Sequence, residues 1–296
     1  MNIRDLVLGF IIGDSFGLSL LNNEVDNDIF KLHNNTVLNI KGGNYSFLTI
    51  NLLATMDSIS FYNKIISNDI LDRLCMSLII GKYTVDRKVY GMNNSVFNLL
   101  EKYSKKNIIF EIDNNDVSSI GRIIPIVIYN YYNEDTLDTL IPVLSVTNTN
   151  EVILVGEFIL YKYILNILNG YDKFKSLKIS IPDYFTESSK KVYKNILKGN
   201  IFYDEIVFDD DILNILKILF YVILNSDNMN DVFLMMSNFD GYNNIYSSII
   251  LSVAVLIYGF DDVLLGMYKK LKNKKDINKI IKSYERMFLW ESMLSI

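Results

Sequence analysis

The chain has 296 residues, half of them hydrophobic, which is enough to bury one large core or two smaller ones. Its 29 basic and 34 acidic residues give a net charge of −5, and there is no basic run, so nucleic acid is not expected as a partner. Cys75 is the only cysteine and His33 is the only histidine. A disulfide framework, a thiolate metal site and catalysis through a Ser-His-Asp or Cys-His arrangement are therefore not expected.

The N-terminal segment lacks the pattern of a signal peptide. Asp5 places an acid near its start, and Gly13 and Asp14 interrupt the apolar stretch that follows. The most apolar segment, Ile249–Phe260, is shorter than the roughly 18 residues that would suggest a membrane span. We therefore expect a cytoplasmic protein with no membrane partner.

The first predicted helix, near residues 4–20, carries Gly9, Gly13 and Gly17 on one face. Each glycine in a helix costs roughly 1 kcal/mol relative to alanine. Three of them on one face indicate that another helix passes very close to this one. Asp14 lies in the same apolar segment, so its carboxylate is expected to need a polar partner inside the fold.

The hydrophobic pattern stays helical along the rest of the chain, which has only three prolines and no long alternating strand pattern. Asn148 and Glu151 form a candidate capping pair for one of these helices, and Gly170 lies just past its end. No connecting segment resembles a flexible linker, so one all-α domain is predicted over residues 1–296. The predicted helices lie near 47–65, 68–80, 93–105, 118–132, 150–169, 186–198, 212–224, 229–237, 244–259 and 274–294.

Five short motifs follow one another along the chain in an order and spacing that is known from one protein family. The motifs are G-x-x-x-G-D-x-x-G from Gly9 to Gly17, "VYGMNNSVFNLLEKY", "SSIGRIIPIVIYN" with Arg122 and Pro125, "LSVTNTNEVIL" with Ser145, Thr147 and Asn148, and "DNMNDVFLMMSNFDGYNNIYSSIILSVAVLIYG". On these motifs the chain resembles the ADP-ribosylglycohydrolase family, which includes the dinitrogenase-reductase-activating hydrolases. The resemblance spans nearly the whole chain, and Asn148 stands where the family has histidine.

The resemblance implies a single compact orthogonal bundle of helices. Typical members carry two Mg²⁺ ions and hydrolyse the N- or O-glycosidic bond of ADP-ribose attached to a side chain. The resemblance also implies where the metal ligands would lie: in a Thr-Asp-Asp-Thr motif early in the chain and in an Asp-Thr-Asp-Thr loop near its end.

The carboxylates of both motifs are replaced in this sequence. Ser46-Phe47-Leu48-Thr49 stands at the early motif, and Tyr242 and Asn244 stand at the two aspartates of the late loop. Mg²⁺ is held mainly by carboxylates, and a neutral amide cannot offset the repulsion between two dications. Catalytic residues, metal ligands and a cofactor are therefore all predicted to be absent.

Other acids are weak substitutes for the lost ligands. Asp57 lies two helical turns beyond Thr49, roughly 12 Å along the helix axis. Asp240 precedes Tyr242 by two residues and would reach inward only if the loop were rearranged. The acidic run at 204–211 is expected to be a solvated face.

Three functions are compatible with these residues. The first is a pseudoenzyme that binds ADP-ribose, or an ADP-ribosylated protein, without cleaving it. The second is an active hydrolase with rewired ligands, in which Asp14 and Asp240 are the available acids. The third is an interaction scaffold whose cleft is closed by Phe47 and Tyr242. Sequence leaves the modified target and the oligomeric state open. For the first function, the predicted ligand-binding residues are Thr49, Asn148, Asp240, Tyr242, Asn243 and Asn244.

Overall fold

A computed structural model of the chain describes residues 3–21, 30–105, 114–133, 137–238 and 243–294. Within these ranges the chain forms α-helices and short 3₁₀ helices, and the only β-type pairings are two isolated bridges, Asn35 with Ile40 and Val85 with Lys88. The all-α class predicted from the sequence is therefore confirmed. In the same ranges, none of the helices combines the length and the apolar character that crossing a membrane requires.

The described residues form thirteen α-helices, with 3₁₀ helices at Ser118–Arg122, Lys175–Leu177, Ile196–Lys198 and Tyr203–Glu205. The α-helices are α1 (Ile3–Leu20), α2 (Phe47–Tyr62), α3 (Ser67–Ile79), α4 (Asn94–Ser104), α5 (Ile123–Asn133), α6 (Leu137–Leu144), α7 (Glu151–Leu168), α8 (Glu187–Val192), α9 (Ile212–Asn225), α10 (Met229–Ser237), α11 (Asn243–Tyr258), α12 (Asp262–Lys270) and α13 (Lys274–Leu294).

The contacts between these helices cluster into two compact units. Unit 1 comprises Met1–Tyr45 and Glu151–Lys272, and unit 2 comprises Ser46–Asn150 and Asn273–Ile296. Each unit is thus built from two separate stretches of the chain. The prediction of one domain over the whole chain stays a prediction.

Unit 1 is organised around the packing of α1 along α11. Almost every residue of α1 is buried, including Asp14, which has no exposed surface. A Cβ placed on Gly13 would lie only 2.2 Å from the Ser247 carbonyl oxygen, and one placed on Gly9 would lie 2.9 Å from the Leu251 carbonyl oxygen. The prediction that a second helix passes close to these glycines is confirmed, because both oxygens belong to the α11 backbone.

Unit 2 is built around α2, which packs against the 3₁₀ helix Ser118–Arg122 and against α13. A Cβ on Gly121 would lie 2.3 Å from the Leu48 carbonyl oxygen, so the 3₁₀ helix also makes a close backbone approach. The Tyr284 hydroxyl donates a hydrogen bond of 2.5 Å to the Pro125 carbonyl, which fixes α13 on α5 through a buried contact.

The structure differs from the predicted helices at several places. Helices α6 and α12 were not predicted. The predicted helix at 118–132 begins as a 3₁₀ helix before α5, and only Glu187–Val192 of the predicted helix 186–198 is α-helical. Helix α7 ends before Gly170, whose φ of +87° suits a left-handed helix end, as the sequence indicated.

Candidate functional site

The early motif forms the first turn of α2, in which the apolar side chains are enclosed. The Ser46 hydroxyl caps the helix by accepting a hydrogen bond of 3.1 Å from the Leu48 backbone N–H. Phe47 is fully buried and Leu48 is 3% exposed. Thr49, a predicted ligand-binding residue, also has no exposed surface. The two positions at which the resemblance places aspartates are therefore occupied by packed hydrocarbon.

A buried arginine joins the segments that carry the early motif and Asn148. The guanidinium of Arg122 donates hydrogen bonds to Asn51 Oδ1 at 2.8 Å, to the Leu144 carbonyl at 2.9 Å and to Thr147 Oγ1 at 2.7 Å. Asn51 itself donates to the Phe47 carbonyl at 2.9 Å, one turn earlier in α2. Arg122 therefore fixes the start of α2 relative to the turn before α7 through these three uncharged acceptors.

Asn148 has no exposed surface, and its amide takes part in hydrogen bonds within unit 2. Its Nδ2 donates to the Asp116 carbonyl at 2.7 Å, and its Oδ1 accepts from the Asn150 backbone N–H at 2.8 Å. The second bond resembles a cap at the start of α7. The carboxylate of Glu151, its predicted capping partner, instead accepts hydrogen bonds from Thr186 and Ser189.

The loop before the 3₁₀ helix is a local network of polar groups that the sequence analysis did not single out. Asp116 is buried, and its Oδ2 accepts from the Ser118 backbone N–H at 3.1 Å and from the Ser118 hydroxyl at 2.5 Å. Asn114 accepts from the Asp116 backbone N–H and donates to the Thr147 carbonyl. This network fixes the shape of the loop that contacts Asn148. The spacing Asn-x-Asp-x-Ser was the available sequence signal.

The late loop is only partly within the described residues. Asn244 lies in the first turn of α11 and is 6% exposed. Asn243 begins that helix, but its side chain lies outside the described part, as do Asp240 and Tyr242. The structure thus places Thr49 and Asn148 in unit 2, in segments joined by Arg122, and places Asn244 in unit 1.

The residues at the early motif do not fit a magnesium site. Phe47 and Leu48 offer no ligand atom, and the amide oxygen of Asn148 already accepts a backbone hydrogen bond. Within the described ranges, no three His, Cys, Asp or Glu side chains lie close enough together to hold a metal ion. Asp14, an acid available to the alternative hydrolase, is fully buried in α1.

Asp57, the nearest acid in α2, is already balanced by cations. Its Oδ2 accepts hydrogen bonds from the Tyr83 hydroxyl at 2.5 Å, from the Lys82 ammonium at 3.0 Å and from the Arg73 guanidinium. Burial raises the pKa of Asp57, but the hydrogen bonds from Tyr83 and Lys82 and the nearby cationic charges outweigh burial and hold the pKa below its ordinary value. A metal ion would have to displace these partners, so Asp57 is a poor substitute ligand.

Comparison with known proteins identifies the class of fold. The all-helical architecture is shared with a solved structure. That structure, described as an ADP-ribosylglycohydrolase-related protein complex, is similar to this chain with a TM-score of 0.76, 13% sequence identity, and coverage of 96% of this chain and 96% of that chain. No protein-family model matches the sequence, and no curated protein matches it. The expected fold is thus confirmed, and at this identity the likeness concerns the fold alone.

Proposed function

We propose that this protein is a catalytically inactive ADP-ribosylglycohydrolase-like protein that binds ADP-ribose or an ADP-ribosylated partner. The observation that carries the loss of activity is the complete burial of Phe47 and near-complete burial of Leu48, at the two positions where the resemblance places metal-binding aspartates. Restoring a metal site there would require two carboxylates in a packed helix start. Burying even one unpaired carboxylate costs several kcal/mol.

The framework around the site supports a retained recognition role. Arg122 donates hydrogen bonds to Asn51 and Thr147, and Asn148 donates to the Asp116 carbonyl, so these bonds hold the backbone at the start of α2 and before α7. Within unit 2, the hydroxyl group of Thr49 and the amide group of Asn148 can recognise a ribose or a phosphate through hydrogen bonds. None of these groups supplies the carboxylate that glycosidic hydrolysis normally needs.

A closed scaffold is the second candidate, and one observation favours it. Thr49 and Asn148 have no exposed surface, so a ligand would reach their side chains only after local opening. In a scaffold the helices would serve partner binding and the cleft would stay shut. The two candidates differ in whether ADP-ribose binds at all.

Calorimetric titration with ADP-ribose, with and without Mg²⁺, separates the candidates. Binding heat that does not depend on Mg²⁺ is expected, together with no release of ADP-ribose from an ADP-ribosylated peptide. Heat or hydrolysis that requires Mg²⁺ would contradict the proposal and favour the rewired hydrolase. No heat at ligand concentrations near millimolar places any binding weaker than about −4 kcal/mol and favours the scaffold.

A matched pair of variants in α2 tests where the ligand sits. Thr49→Val and Thr55→Val each remove one hydroxyl from a residue without exposed surface. Thr55 is not among the predicted ligand-binding residues, and its hydroxyl donates to the Asn51 carbonyl at 2.8 Å within the helix, so Thr55→Val controls for the loss of a buried hydroxyl. We expect Thr49→Val to weaken ADP-ribose binding about threefold to tenfold, the contribution of one hydrogen bond. Equal binding by both variants would remove Thr49 from the proposed site.

A further inference from the structure

Unit 1 contains a pocket beside the C-terminal turn of α9. Its volume is about 430 Å³. Residues at the ends of the 3₁₀ helices Lys175–Leu177 and Ile196–Lys198 form its other walls. Small-molecule sites in proteins typically have volumes of about 300–1,000 Å³, so this space is sufficient for a small ligand. We call it the α9 pocket, and it shares no residue with the candidate site described above.

One wall of the α9 pocket is apolar. Leu177 is 5% exposed, and Leu197, Leu224 and Tyr221 are half-buried along its wall. Phe174 stands at the rim with 60% of its surface exposed. A ligand with a hydrocarbon or aromatic body would cover this surface and remove it from water, which is favourable.

The charged side chains among the described lining residues of the α9 pocket are positive. Among the described residues that line it, Lys178 and Lys198 are the only charged ones, and none is a carboxylate. Within the described part of the chain, neither ammonium group forms an ion pair, although the chain as a whole carries a net charge of −5. The C-terminal end of α9 contributes about half a negative charge, which is less than the two positive charges of the lysines. The pocket therefore favours an anion.

We propose that the α9 pocket binds a small amphiphilic anion, whose carboxylate pairs with Lys178 and Lys198 and whose apolar body packs against Leu177, Leu224 and Tyr221. The combination of an apolar wall with unpaired cations at its edge selects for such a ligand, because water solvates the lysines until the anion replaces it. An inorganic anion would pair with the lysines but leave the apolar wall uncovered, and a neutral hydrocarbon would cover the wall but leave the lysines without an anion. The proposal is independent of ADP-ribose binding.

Three probes test the proposal on the full chain by calorimetry: octanoate, octanamide, which has the same chain without the charge, and acetate, which has the carboxylate without the long chain. Octanoate is expected to bind, octanamide to bind about tenfold more weakly, and acetate to give no heat. Octanamide that binds as well as octanoate would show that the lysines do not select an anion. Acetate that binds as well as octanoate would show that the apolar wall contributes nothing. Either result overturns the proposal.

Two double variants localise the binding. In Lys178→Gln/Lys198→Gln, octanoate binding is expected to weaken about tenfold, because each exposed ion pair strengthens binding by up to about fivefold. Lys191→Gln/Lys194→Gln is the matched control, since both lysines are exposed in the same unit and neither lines the pocket. The control is expected to bind octanoate as the wild type does. Equal weakening in both double variants would mean a general charge effect and would refute the assignment.

A lipid surface is the competing source of an amphiphilic anion. Sedimentation with phosphatidylglycerol vesicles separates it from a free ligand. We expect the protein to stay in the supernatant while octanoate binds. Vesicle binding that depends on Lys178 and Lys198, without heat from octanoate, would overturn the proposal in favour of a membrane contact.

Discussion

Replacing Gly13 with alanine is expected to destabilise unit 1, although the same change stabilises most helices. The added Cβ would lie 2.2 Å from the Ser247 carbonyl oxygen and 2.7 Å from the Ser248 Cα, and both atoms belong to the backbone of α11. Heavy atoms pack best at about 3.5 Å, so α1 and α11 would have to separate by about 1 Å. Rotation of a flexible side chain cannot relieve this contact.

The expected change in the free energy of unfolding for Gly13→Ala follows from two opposing contributions. The higher helix propensity of alanine stabilises by about 1 kcal/mol. Overpacking a well-packed core costs about 1–3 kcal/mol, and a contact with backbone lies at the upper end of that range. We therefore expect a net loss of about 2 kcal/mol for Gly13→Ala.

Two other glycines calibrate this prediction. At Gly9 the nearest contacts are longer, 2.9 Å to the Leu251 carbonyl oxygen and 3.1 Å to both the Ser252 Cα and a Val255 methyl group. The smaller shift of α11 that they require is expected to offset the gain in helix propensity, so Gly9→Ala should be nearly neutral. Gly266 lies inside α12 with no atom within 4 Å of an added Cβ, so Gly266→Ala is expected to stabilise by about 1 kcal/mol.

Urea unfolding followed by circular dichroism measures all three variants. The midpoint concentration is expected to rise for Gly266→Ala, to stay near the wild-type value for Gly9→Ala and to fall for Gly13→Ala, with little change in the slope of the transition. A midpoint for Gly13→Ala at or above the wild-type value would refute the close packing of α1 on α11.

Three further predictions concern one half-buried and two buried side chains. Because the folded-state pKa of Asp57 lies below the ordinary value of about 3.9, its carboxylate stabilises the fold fully above that pH. The stability gap between wild type and Asp57→Asn in urea titrations should therefore shrink as the pH falls from about 6 towards 3, and a constant gap would count against this. Burial, with a smaller contribution from the charge of a nearby aspartate, raises the pKa of Cys75 to about 11. Iodoacetamide near pH 8 should thus label native protein far more slowly than protein in urea, and equal rates would contradict the burial. Arg122→Met leaves three buried acceptors without their donor, so a loss of about 3 kcal/mol or more is expected in thermal melts. Arg87→Met, at an exposed position, is the control and should change little.

The hydrophobic period predicted the long helices well, because their burial depends on a regular apolar pattern. It missed α6, which has only eight residues and contains Pro142. It missed α12 because that helix has only nine residues and contains Gly266. A usable signal was nevertheless present: Asp261 caps α12 through the Leu264 N–H, and two lysines end it.

The residue types at the candidate site could be read from the sequence, but the hydrogen bonds between distant residues could not. The sequence indicated that Phe47 and Leu48 could not bind a metal, and the structure shows that both are enclosed. The bond from Arg122 to Asn51 joins residues 71 positions apart, and no local pattern pairs them. The one hint was Asn51 itself, a lone amide in the apolar segment "TINLLATM".

The chemistry of the early motif and the stability of the fold are connected by electrostatics. A pair of adjacent aspartates at the start of α2 would repel each other in a buried setting, and bound dications would be needed to offset that repulsion. With Phe47 and Leu48 there, the same positions contribute apolar burial instead. The neutral acceptors around Arg122 then complete the hydrogen bonding of the adjoining turns. We therefore expect this region to fold without a metal ion. At these two positions apolar side chains favour stability, whereas metal-dependent hydrolysis would need carboxylates.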